Sequence, residues 1–168
     1  MANRQALEAA FQKADARLDR LCPLMQTYER DALLDDGGKW SVRDCLSHVA
    51  ASARVSVAGQ RGLERLRGQP TAPAAPAMPI DDRTALQVAE RKDKSVAQLV
   101  DEAKQAHVAA MQDIRAMDDA TLETKVPDMQ PGRAAVSVGG LILRMLEYHE
   151  GGQVDRIENA LRVRTRWV

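Results

Sequence analysis

Three histidines, His48, His107 and His149, are the side chains of this 168-residue chain best suited to handling protons or metal ions near neutral pH. Gln153 follows His149 by four positions, so on a helix the two side chains share a face. In the stretch "GKWSVRDCLSHVAASA", residues 38–53, His48 stands three positions after Cys45 and four before Ser52. Imidazole is a good nitrogen donor to first-row metals and a good general base, whereas a glutamine amide oxygen is a weaker, neutral ligand. A cysteine one helical turn from a histidine can also be an activated nucleophile. No oxyanion-stabilising element accompanies Cys45, and small buried cysteines are common, so packing is the reading adopted for it. His107 replaces an apolar residue within a helical stripe and is read as a core histidine, with its membership of the site left open.

These side chains need helices to bring them together, and the apolar spacing supplies four long ones. Helix 1 carries Leu7, Phe11, Ala14, Leu18, Leu21 and Met25, and Pro23 should kink or end it near Cys22. "DDGGK" at 35–39 is a break. Helix 2 is predicted from Ser41, a good N-cap with Asp44 as capping-box partner, to about Arg67. Asp44 also lies one turn before His48 and can orient its imidazole, but the cap explains it equally well and is preferred.

The proline-rich "GQPTAPAAPAMPIDD" then forms an extended connection of roughly 40 Å in polyproline geometry. That is enough to return along the bundle and let helix 3 run parallel to helix 2. A short helix from Arg83 to about Glu90 precedes helix 3, which begins at Ser95 with Gln98 as box partner. Helix 4 runs from near Ser137 to about Arg164. Gly139, Gly140, Gly151 and Gly152 lie inside it at about 1 kcal/mol each relative to alanine, which implies that another backbone or a ligand comes close. The acidic pairs Glu147 and Glu150, and Asp155 and Glu158, alternate with arginines and read as its wet face.

The expected architecture is therefore all-α, a four-helix bundle of up-down-down-up order with a long Pro-rich connection between helices 2 and 3, spanning residues 1–168 as a single domain. Composition agrees. Hydrophobic residues make up 45% and aromatics only 3%, a core of Ala, Leu, Val and Met that suits close-packed helices. Lys plus Arg equals Asp plus Glu at 24 each, so no positive field supports nucleic-acid binding. No stretch approaches the ~20 apolar residues of a membrane span, and the N-terminus does not read as a signal peptide. Two cysteines without CxxC spacing imply no disulfide framework and point to the reducing cytoplasm.

His48 shares a face with Cys45, Ser52 and Val55, and His149 with Val138, Ile142, Met145 and Gln153. A mixed face of this kind fits a polar pocket wall and a half-wet bundle edge equally. "KWSVRDCLSHV" resembles the helix-2 signature of the DinB-like four-helix proteins, in which a Trp-Ser pair precedes a histidine eight positions after the tryptophan. Trp40, Ser41 and His48 match it. "EYHEGGQVDRIENAL" resembles the same family's helix-4 pattern of two histidines four apart followed by an aliphatic residue. His149 and Ile157 match, but Gln153 stands where the second histidine belongs.

The resemblance implies a site between helices 2 and 4 in which His48, His149 and Gln153 hold a divalent metal such as zinc or nickel, often in a homodimer. It also implies a reaction of thiol-transferase, isomerase or hydrolase type, with a low-molecular-weight thiol as cosubstrate. Such a metal would lower the pKa of a bound water or thiol and so make a nucleophile. The alternative is a metal-free member that binds a small-molecule ligand or only self-associates, and it draws its support from Gln153.

Overall fold

The computed structural model describes residues 3–28, 40–68, 80–128 and 132–165. The "DDGGK" break and nearly all of the proline-rich connection lie outside the described residues. Four rods carry the architecture. The first is α1 (Arg4–Tyr28), and the second is α2 (Val42–Ser52) followed by α3 (Ser56–Leu66). The short α4 (Ile80–Ala89) lies on the way to the third rod, α5 (Val96–Ala116). After one turn, α6 (Asp119–Glu123), the fourth rod runs as α7 (Val138–Arg144), a π-helical segment (Met145–Glu150) and α8 (Gly151–Thr165). Lys125–Val126 and Val136–Ser137 pair as a two-stranded antiparallel ribbon in front of α7. No described helix is long and apolar enough to cross a membrane.

Side-chain pairs fix the rod directions. Asp15 meets His107 while Asp19 meets Lys104 and Glu8 meets Arg115, so α1 and α5 are antiparallel. Arg17 bonds Asp155 and Glu158, and Leu7 and Phe11 pack with Leu141 and Ile142, so α1 runs with the fourth rod. Cys45 reaches Gln153 and Gly59 abuts Val138, so the second rod opposes the fourth. Arg54 and Ser56 meet Asp113, as Val42 and Leu46 pack with Leu99, so the second and third rods are parallel. The order is up-down-down-up, as the length of the connection allows.

Both anticipated capping boxes are present: Ser41 and Asp44 on α2, and Ser95 and Gln98 on α5. Asp44 therefore serves the cap, bonding the Ser41 amide at 2.9 Å and hydroxyl at 2.8 Å.

Two expectations about the rods change. Of the two outcomes expected at Pro23, a kink or an end, the end does not occur: α1 continues to Tyr28. The amide that Pro23 lacks would have served the Asp19 carbonyl, and both residues are exposed, so water can replace that bond while Leu21 and Met25 anchor the inner face. Helix 2 is not continuous to Arg67; it breaks at Ala53–Val55. The Ser52 hydroxyl competes for the carbonyls of His48 (2.8 Å) and Val49 (3.3 Å). Across the interface Asp113 takes Arg54 and the fully buried Ser56 (2.8 Å), which re-aims the chain into α3.

The core has two apolar halves. One gathers Leu18, Met25, Leu46, Leu99 and Ile157, the other Leu7, Phe11, Ile114, Leu141 and Ile142. Each of these large side chains contributes about 1.5–3 kcal/mol by burial. Between the halves, at the waist, the sequence inserts polar residues on three rods: Asp15 between Phe11 and Leu18, His107 between Ala103 and Ala110, Glu150 between Leu146 and Val154.

Candidate functional site between the second and fourth rods

His48 leaves α2 and His149 leaves the π segment, and their rings meet with centroids 5.2 Å apart and planes tilted by 43°. Both residues are half-buried. Trp40 closes one side, edge-on to His48 at 5.6 Å, and also packs on the apolar core, so it serves both the core and a wall of the site. The His48 Nδ1–H donates to Gln87 Oε1 at 3.1 Å, which places the remaining lone pair on Nε2.

Burial chiefly lowers the pKa of His48. The Gln87 bond opposes it, while His149, Arg83 and Arg156 add repulsion in the same direction as burial. Burial likewise lowers His149, against a weaker pull from Glu150. Two neutral imidazoles therefore face each other across the rods, with guanidinium groups nearby.

Gln153 lies one turn beyond His149, but its amide oxygen is engaged elsewhere. It accepts from Arg156 Nη1 at 2.9 Å and from the buried Cys45 thiol at 3.2 Å. The structure thus brings His48 and His149 together and turns the third expected donor toward a cation and a thiol. Cys45 is wholly buried, in keeping with a packing residue. Among the described residues no three His, Cys, Asp or Glu side chains come together as a metal-holding group.

His107 belongs to a different environment. It is 1% exposed and lies 2.6 Å from Asp15 through Nδ1 and 3.0 Å from Glu150 through Nε2, with Phe11 edge-on at 5.2 Å. Burial alone would lower its pKa, but the bonds to Asp15 and Glu150 outweigh it and hold the group up to about 9. His107 is thus an imidazolium in the core and stays out of the His48–His149 pair. Glu150 corrects the expectation that it lies on a wet helix face. It is 2% exposed, while Glu147 and Asp155 are exposed as anticipated.

Of the helix-4 glycines, Gly140 crowds Ser137 and Val136 at the start of its own rod, whereas a Cβ on Gly152 would meet nothing within 4 Å beyond its own turn, which leaves room for the ligand of that expectation. Close rod-to-rod approach occurs instead at Gly59, whose Cβ would stand 2.9 Å from Val138, and at Gly62 against Val126. A recess of about 460 Å³ lined by Leu66, Val126, Asp128 and Arg133 shares no residue with the histidine pair.

Trp40 before a capped helix, His48 within it and His149 facing it from the last rod form the framework that the sequence signature anticipates. The sequence matches the family model of the DinB superfamily over residues 3–152. The chain belongs to the DinB superfamily. No curated protein and no solved structure matches it. The DinB match takes in Trp40, His48 and His149 and ends one residue before Gln153.

Sequence reasoning missed Gln87, Arg83 and Arg156. A faint signal existed for the first: Arg83 and Gln87 are four apart in the short helix, and Gln87 is half-buried beside exposed Ala85 and Leu86. Nothing local distinguishes Arg156 from the other arginines of its helix.

Proposed function

We propose that the His48–His149 pair of this DinB protein binds a small anionic molecule, a thiol or carboxylate, and does so without a resident metal. The observation that carries this reading is the Gln153 oxygen. With Arg156 2.9 Å away and the Cys45 thiol at 3.2 Å, that oxygen already accepts two hydrogen bonds, one of them from a cation, and is a poor third donor to a divalent metal. What remains is two neutral imidazoles, and the charge of Arg83 and Arg156 near His48 disfavours a cation there and favours an anion.

An incoming thiol would give its proton to an imidazole, and the resulting thiolate would stay beside the guanidinium groups. The bond from His48 to Gln87 fixes the tautomer, and Trp40 limits water on one side.

A second reading, a metal enzyme, draws on one observation: a histidine whose Nδ1–H is held by Gln87 offers Nε2 as metal ligands do. His48 and His149 would be the residues holding zinc or nickel.

Thermal melting separates the two, because a ligand that binds only the folded state raises the midpoint. Mercaptoacetate at high excess should raise it by several degrees in wild type, and not in His48→Ala or His149→Ala. Zinc and nickel should leave the wild type unmoved and act only on Gln153→His, which restores a third nitrogen. Stoichiometric zinc or nickel in protein purified without chelator or tag, lost on His48→Ala, would overturn the proposal.

A further inference from the structure

The π segment and the buried ionic group at the waist occupy the same turn of chain. Its wide winding is visible in the bond from the Gly151 amide back to the Leu146 carbonyl, five residues earlier. Ile142, Leu146, Glu150 and Val154 follow one another in steps of four, and all four are buried. In an α-helix such a run drifts around the axis, since four steps of ~100° overshoot one turn. A wider turn removes the drift and keeps Glu150 inward. Glu150 and His149 are adjacent, so the winding that aims one also aims the other.

A buried carboxylate has no reason to stay inward unless a cation holds it. Here the cation is His107 on α5, itself held by Asp15 on α1, so one bonded chain links three rods to the turn that bears His149.

We propose that the Asp15–His107–Glu150 bridge sets the winding of the Met145–Glu150 turn and thereby holds the His149 ring against His48. His107 and Glu150 are positioning residues: neither touches the ring pair, and both act through the backbone of the turn. Segments of this kind occur often at functional sites, and here the fold shows what keeps one in place. The inference rests on the preceding reading only in taking His149 as a site residue. Its test needs no ligand, so the two can fail separately.

The test is the proton cross-relaxation between the His48 and His149 rings, which a 5.2 Å centroid separation makes visible in wild type. Glu150→Ala removes the tether and leaves the best helix former, which favours ordinary α winding. The cross-peak should vanish in Glu150→Ala while the amide spectrum of the other rods stays native. Glu150→Gln keeps an acceptor for His107 Nε2–H and should keep the cross-peak. His107→Asn, whose amide is too short to span both carboxylates, should lose it as well and carries the test by itself if Glu150→Ala does not fold. A cross-peak of wild-type intensity in folded Glu150→Ala or His107→Asn overturns the proposal. So does its loss in Glu150→Gln, because retaining the bond would then not suffice.

Discussion

Two histidine environments meet the fourth rod at adjacent residues, His149 and Glu150, and they are opposites. His107 is charged, enclosed and bonded to two carboxylates; His48 and His149 are neutral and half-buried, with Arg83 and Arg156 acting on His48. All three lie on or beside the inward stripes of their helices. What separates them is the sign of the charges that neighbouring rods bring: Asp15 from α1 to one, Arg83 from α4 to the other. Residue type chose the chemistry available, and rod packing chose which histidine is architecture and which can serve a ligand.

The largest effect should come from removing the cation of the first environment. His107→Leu leaves Glu150 buried without a partner and should destabilise the protein by about 3–5 kcal/mol in chemical denaturation. Replacing both as His107→Leu/Glu150→Leu should recover most of that loss, since an apolar pair carries no charge to desolvate. His48→Ala removes one hydrogen bond and two ring contacts from a half-buried site and should cost about 1 kcal/mol. Equal losses in the two single variants would erase the distinction between architecture and site.

Titration sharpens the contrast because the two environments have opposite signs. The pKa of His107 is raised on folding from 6.5 to about 9, so its contribution is complete below pH 6.5 and disappears as the pH rises through 9. That contribution is on the order of 3 kcal/mol. His48 and His149 are lowered on folding, so they favour the unfolded chain when it takes up protons, and stability falls as the pH drops below 6.5. Unfolding free energies measured from pH 5 to 10 should therefore lose their alkaline decline in His107→Leu/Glu150→Leu. The acid-side decline should be reduced in His48→Ala/His149→Ala. An alkaline limb that survives the first double variant would mean that another group carries it.

How much of this was legible beforehand follows from how local each determinant is. Ser41 with Asp44 and Ser95 with Gln98 are four-residue devices, and the sequence displays them complete. The four rods follow from stripes, and their order from the length of one connection. The breaks and charges were not local. The helix-2 break depends on Asp113, which lies almost sixty residues away and holds Arg54 and Ser56. Burial of Glu150 depends on a π turn that no propensity scale marks and on a histidine of another rod. Placing His48 beside His149 was legible because the family signature encodes it. The diversion of the Gln153 oxygen was not, since i to i+3 arginines are common and carry no mark of what they bond.

The smallest expected effect concerns Gly152, three residues after His149 and four before Arg156, hence near their face of α8. A glycine there sacrifices about 1 kcal/mol of helix preference, and among the described residues no atom beyond its own helical turn lies within 4 Å of where its Cβ would be. Packing against the described residues therefore does not explain it. Gly59 makes the opposite case: its missing Cβ would meet Val138 at 2.9 Å, so Gly59→Ala should destabilise. Gly152→Ala should raise stability by about 0.5–1 kcal/mol, a shift of one to a few degrees in a melt. If the open space beside it belongs to the ligand of the neutral imidazole pair, the same methyl should shrink the midpoint rise given by mercaptoacetate while the protein itself becomes more stable. A stabilised variant that responds to mercaptoacetate as wild type does would confine the ligand to the far side of the His48–His149 pair, away from α8.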